Sequence, residues 1–159
     1  MRRDKLTVTA APADAAGQPV TDHGEYVLDD QVGFLMRVAT QRHTAIFMSR
    51  MIEGLTQTQF AALAKLYEVG PCSQNHLGRL IYLDAATIKG VVDRLRKRGF
   101  VTAMPDPNDR RRRAVALSDH GHAVTEEAVK VAAEITAATL APLSPDEQKV
   151  GGKLLRKLG

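Results

Sequence analysis

The chain has 159 residues, 44% of them hydrophobic, which is enough for one ordinary domain with a packed core and too apolar for wholesale disorder. Aromatics make up only 4% with no Trp, so the core must be aliphatic; a single Cys rules out an intramolecular disulfide framework and any four-Cys zinc site. The formal net charge of +4 says little by itself, because many inert surfaces carry as much.

Residues 1 to about 24 are rich in Ala, Pro, Gly and Asp, have no sustained period, and read as a flexible tail. Arg2, Arg3 and Lys5 are not followed by an apolar stretch, so no signal peptide is expected, and no apolar run is long enough to span a membrane. The expectation is a soluble, cytoplasmic, mainly helical protein. From Leu28 a helical stripe runs through Val32, Leu35, Ala39 and Ile46 to about Glu53, where Gly54 ends it. Its wide apolar circumference implies burial on more than one side, as a dimer partner would provide.

Thr56 with Gln59 forms a capping-box pattern for a second helix, through Phe60, Leu63 and Leu66 to Gly70-Pro71. A short helix follows from about Ser73 to Tyr82. Asp84 then caps another from about Ala85 to Arg98, closed by Gly99. Two short helices across a turn of a few residues are a helix-turn-helix. Residues 100–104 and 113–117 read as two strands around the turn-forming Pro105-Asp106-Pro107-Asn108-Asp109, a hairpin with a basic tip. Ser118 or Asp119 starts a long Ala- and Val-rich helix to about Leu140, and Ser144 caps a last helix through Leu154, Leu155 and Leu158. The fold class expected is mainly α with a small β-hairpin wing.

The charge is concentrated. Between Arg79 and Arg113 the chain holds ten basic and four acidic residues, a net +6, which leaves −2 for the rest. A charged cluster can be merely a solvated face, but on a helix-turn-helix it falls where phosphates lie. The second helix of such a unit enters the major groove by its N-terminal residues. Its outward positions are Ala85, Ala86, Thr87, Lys89, Gly90 and Asp93; the small ones permit close approach, and Thr87 and Lys89 can reach base edges or phosphates. Arg94 reads as a phosphate contact or as a partner for Asp93 or Asp84. Arg96, Lys97 and Arg98 also suit the negative end of the helix dipole. At the tip, Arg110, Arg111, Arg112 and Arg113 repel one another, and a narrow minor groove gives the run a purpose. Alternation along a strand would point Arg111 and Arg113 one way and Arg110 and Arg112 the other, with Asp109 orienting one guanidinium.

The strings Thr87-Ile88-Lys89-Gly90-Val91-Val92-Asp93-Arg94-Leu95, Lys97-Arg98-Gly99-Phe100-Val101 and Asp106-Pro107-Asn108-Asp109-Arg110-Arg111 resemble the MarR family of winged-helix repressors. The resemblance covers about residues 28 to 158. It implies a flexible tail at 1–24 and a single domain at 25–159, with 25–55 and 118–159 as dimerisation helices around a winged helix at 56–117. It further implies a homodimeric repressor that binds a pseudo-palindromic double-stranded DNA operator, with Arg111 entering the minor groove and Asp109 supporting it. A small aromatic carboxylate effector that relieves repression is also implied. Gln31-Val32-Gly33-Phe34-Leu35 and Gln41-Arg42-His43-Thr44-Ala45-Ile46-Phe47 are similar to regulators of nicotinate breakdown within this family.

Arg42 and His43 interrupt the apolar stripe of the first helix, and a cation or imidazole there needs a partner. An aromatic carboxylate held by Arg42 is one; an acidic side chain for Arg42 and a satisfied core position for His43 is the other. Phe47, Phe60 and Leu63 would wall such a ligand site, with His120 and His122 as more distant candidates. Cys72 and His76 have a spacing that would put two metal ligands on one helix face, but without a second pair the zinc signal is weak and no metal or cofactor is expected. Cys72 near a helix start has a thiol whose pKa is open to lowering, so the alternative function is a redox-sensing repressor on the same fold. No Gly-rich phosphate loop or nucleophile elbow is present, so no enzyme is expected, and the aromatics that stack single-stranded bases are missing.

Overall fold

The computed structural model describes residues 26–107 and 109–159. The N-terminal tail and Asn108 of the wing lie outside the described residues. After a single 3-10 turn at Leu28–Asp30, Gln31 adopts an extended backbone and α1 spans Val32–Arg50. The expected start at Leu28 is therefore four residues early; the Gln31 side-chain amide instead bonds back to the Val27 carbonyl at 3.0 Å. The helix also stops short of Glu53. A second 3-10 turn, Ile52–Gly54, makes the corner, with Glu53 and Gly54 at φ 55° and 56°.

Helix α2 (Gln57–Val69) begins with the expected capping box: Thr56 Oγ1 accepts the Gln59 N–H at 3.2 Å, and Gln59 Oε1 accepts the Thr56 N–H at 3.1 Å. Ser73 caps α3 (Gln74–Leu80) and Asp84 caps α4 (Ala85–Lys97). The two helices pack so closely that a Cβ at Gly78 would lie 3.0 Å from Ile88 Cγ2. Leu63, Leu77, Ile88, Val92 and Leu95 are fully buried between α2, α3 and α4, an aliphatic core as composition requires.

Strands β1 (Val101–Pro105) and β2 (Arg113–Leu117) pair antiparallel from Val101↔Leu117 to Pro105↔Arg113. Cys72 exchanges backbone hydrogen bonds with Val115, at 3.2 and 2.8 Å, and so ties the hairpin to the start of α3. Only Arg113 of the four arginines belongs to a strand. Arg110 to Arg112 form the turn, so strand alternation does not set their directions.

Ser118, not Asp119, caps α5 (Asp119–Leu140): its hydroxyl accepts the Gly121 N–H at 2.9 Å and donates to the Gly99 carbonyl at 2.6 Å. Gly121 itself sits against the Phe100 carbonyl oxygen, and a Cβ there would run into it. Helix α6 (Pro145–Leu158) opens with a second capping box, Ser144 with Glu147. The result is a winged helix of α2–α4 and the hairpin, with α1, α5 and α6 around it.

Candidate functional site

The first turn of α4 stands out from the surface: Ala85, Ala86, Thr87 and Lys89 are exposed, Gly90 half-buried. Asp84 holds Thr87 twice, accepting its N–H at 2.8 Å and its hydroxyl proton at 2.6 Å. Those bonds keep the Asp84 carboxyl below the usual carboxylate range. Arg94 pairs with neither of the acids proposed for it. Asp93 is taken by Lys89 at 3.2 Å and Arg96 at 3.4 Å, while the Arg94 guanidinium folds back over Gly90, within 3.4 Å of where a Cβ would be. A Cβ at Gly90 would touch that guanidinium at ordinary contact distance.

In the wing, Asp109 organises the tip. Its carboxylate accepts the Arg111 N–H at 3.1 Å and pairs with Arg112 Nε at 3.5 Å, and its carbonyl accepts the Arg112 N–H at 2.9 Å. It thus orients the Arg112 guanidinium and only the backbone of Arg111. Arg94, Arg110, Arg111 and Arg113 make no ion pair among the described residues. Arg98 has a different task from the other cations. Its Nη2 donates to the Glu53 carbonyl at 2.6 Å, and its guanidinium lies 4.5 Å over the Phe100 ring, which fastens the end of α4 to the α1–α2 corner. Sequence patterns gave no sign of Tyr82, which is 89% exposed at positive φ in the turn between α3 and α4.

A cavity of about 380 Å³ opens between α1, α2 and α5, lined by His43, Phe47, Gln57, Phe60, Ala132, Ile135 and Thr136. A second of about 370 Å³ shares Phe47 and Gln57 with it and reaches the Met51–Thr58 corner. Of the five residues expected around a ligand, His43, Phe47 and Phe60 line the first cavity. Leu63 does not; it is fully buried in the winged-helix core. Arg42 does not either. Its guanidinium donates to the carbonyls of Ala138 (3.0 Å) and Thr139, at the negative end of α5, so its partner is a helix terminus rather than an acidic side chain.

His43 Nδ1 is 2.9 Å from Thr139 Oγ1, and that hydroxyl already donates to the Ile135 carbonyl at 2.8 Å. Nδ1 must then be the donor, which leaves Nε2 of the neutral ring as an acceptor. Ala132, Ile135, Thr136 and Thr139 follow helical spacing on α5, a signal that was present in the sequence. His120 and His122 are elsewhere, against the rings of Phe100 and Tyr67.

Cys72 precedes α3 and does not share a helix face with His76. Burial, with a smaller push from Asp106, raises its thiol pKa rather than lowering it. Among the described residues no cluster of three or more His, Cys, Asp or Glu is arranged to hold a metal ion, and no helix is long and apolar enough to cross a membrane.

Comparison with known proteins places this architecture. The MarR family profile matches residues 55–112, the α2-to-wing segment. The HTH-type transcriptional repressor NicR of Pseudomonas putida is 38% identical over 155 residues, covering 97% of this chain and 93% of that protein. The chain belongs to the MarR family. Among solved structures, a probable transcriptional regulator from Pseudomonas aeruginosa is 52% identical, with a TM-score of 0.80 over 84% of this chain and all of that one. Bordetella bronchiseptica BpsR, whose DNA binding is regulated by 6-hydroxynicotinic acid, is 40% identical with a TM-score of 0.79, covering 85% of this chain and 97% of that one. The MarR-family resemblance read from the α4 and wing strings is borne out, as is the mainly helical winged-helix fold.

Proposed function

We propose that the chain is a homodimeric, ligand-responsive transcriptional repressor that binds a pseudo-palindromic double-stranded DNA operator and is released by a small aromatic acid of the nicotinate type. It acts by binding and not by catalysis. The observation that carries the DNA reading is the placement of exposed cations on α4 and the wing, where Arg94, Arg110, Arg111 and Arg113 have no ion pair among the described residues. Exposed guanidinium groups on a recognition helix and hairpin tip meet phosphates and a narrow minor groove. Two winged helices related by a two-fold axis would contact half-sites about 10 base pairs apart. Residues 25–55 and 118–159 supply the dimerisation helices around the winged helix at 56–117.

The effector reading rests on the cavity of about 380 Å³. Its apolar walls, Phe47, Phe60 and Ile135, suit one aromatic ring, and Gln57, Thr136 and His43 give it polar points. The His43 Nε2 acceptor takes a ring N–H or hydroxyl proton of the ligand; protonated, the imidazole becomes a donor to its carboxylate. Arg42 holds α5 in register beside this group. BpsR, whose DNA binding is regulated by 6-hydroxynicotinic acid, supports this ligand class.

The test is a panel of aromatic and heteroaromatic acids, scored for release of the protein from a duplex selected for binding from a random library. A nicotinate-type acid is expected to release it, and His43→Phe to lose the response while keeping DNA affinity. Equal loss of both in that variant would sink the cavity assignment.

A further inference from the structure

The Asp84–Thr87 pair has a consequence for which bases the protein reads. Thr87 has one hydroxyl proton, and it is directed at Asp84 Oδ2 over 2.6 Å. The same carboxylate holds the Thr87 N–H through its other oxygen, so the clamp fixes backbone and side chain together. With its proton spent, Thr87 offers a partner only a methyl group and oxygen lone pairs. Ala85 and Ala86 before it are exposed and add methyl groups alone. Lys89, the next cation along the helix, pairs with Asp93 through one of its three N–H groups and lies one residue past the leading turn. Residues 85–88, the leading turn itself, present no free side-chain donor.

In the major groove, guanine shows two acceptors, N7 and O6, and is read by donors. Thymine is set apart by its 5-methyl group. We propose that Thr87, clamped by Asp84, reads a thymine 5-methyl group in each half-site and makes no hydrogen bond to guanine. This rests on the DNA-binding reading above, in which α4 occupies the major groove. The carboxylate of Asp84 adds to the discrimination, because a guanine O6 brought to this turn would face negative charge instead of a donor.

The experiment uses the full chain and a random duplex library to select a binding site. Each thymine of the selected half-site is then replaced by deoxyuridine, which removes the methyl group and keeps every base-pairing atom. Wild type is expected to bind one such substituted site about fourfold more weakly, the worth of one buried carbon group. That penalty should vanish in Thr87→Ser, which lacks the methyl, and persist in Thr87→Val, which keeps it and loses the hydroxyl. A deoxyuridine penalty unchanged in Thr87→Ser, or none at any position, overturns the proposal. So does a penalty for 7-deazaguanine that disappears in Thr87→Val, since Thr87 would then be donating to guanine. If no sequence is enriched from the library, the DNA-binding reading itself has failed, a result distinct from all of these.

Discussion

Helix α4 buries Ile88, Val91, Val92 and Leu95 within its thirteen residues, whereas α6, one residue longer, buries none. Helix α1 is closer to α6 than to α4: of nineteen residues only Phe47 is buried. The core is closed by α2, α3, α4 and the hairpin together with the inner side of α5, where Val124, Ala128 and Ile135 are buried, and Phe47 of α1. The outer helices leave Val32, Leu35, Met36 and Val38 on α1, and Val150, Leu154, Leu155 and Leu158 on α6, exposed to water. Apolar residues gathered at this density on two helices mark a surface that is covered in the working molecule. In the proposed homodimer a second copy covers it, and isologous pairing would give each patch the same patch as partner. On that proposal one part of the chain is folded by its own contacts, and α6 with the outer face of α1 is completed by association.

The strongest way to break that division is at α6. Leu155→Glu combined with Leu158→Glu removes four apolar side chains per dimer, each worth about 1.5 kcal/mol or more. The sum, about 6 kcal/mol, weakens self-association by roughly four orders of magnitude. Sedimentation at micromolar concentration is expected to show a monomer that keeps its helical circular dichroism. A variant that remains dimeric would move the interface away from α6.

Gly121→Ala tests the self-contained half. The new methyl group would meet the Phe100 carbonyl, to which the start of α5 is fastened by Ser118. Overpacking against backbone is costly, and a loss of about 3 kcal/mol is expected by urea denaturation. Gly151→Ala on α6, where a Cβ meets nothing within the chain, is the matched control and should not destabilise when introduced into the monomeric Leu155→Glu, Leu158→Glu variant.

The difference between the halves also explains what was legible in the sequence. Caps are local, so Thr56 with Gln59, Asp84 and Ser144 can be read from the order of residues alone. The α1–α2 corner cannot, because Glu53 at positive φ is held by Arg98, forty-five residues away. At the wing, the count of arginines is plain, but Asp109 folds the tip into a turn, and strand alternation no longer applies. For the cavity, the break in the apolar stripe of α1 points to His43, which lines it beside Phe47. It fails for Arg42, because the partner is a pair of backbone carbonyls, and sequence patterns do not show where a helix end will come to rest.

A smaller effect sharpens the contrast between the wing and the rest of the charged surface. Arg111→Ala is expected to weaken operator binding about tenfold and to reduce the salt slope by about one. Lys130→Ala on α5 is the comparison, since that lysine pairs with Glu127 far from α4 and the wing; it should change neither quantity. Equal effects from the two variants would mean that net charge, and not the placement of the wing arginines, drives binding.

The smallest effect concerns Cys72, where the hairpin meets α3. Burial, aided by Asp106, favours the neutral thiol in the folded chain. The folded pKa therefore lies above the unfolded one, and the linkage has a definite sign. Below the unfolded thiol pKa the group contributes no pH dependence. As pH rises past it, the unfolded chain loses a proton that the folded chain keeps, and stability falls. The pH midpoint of iodoacetamide alkylation should accordingly be higher in the native protein than in urea, and Asp106→Asn should lower it part of the way. A native midpoint below the denatured one would describe an activated thiolate, and would return Cys72 to consideration as a redox sensor.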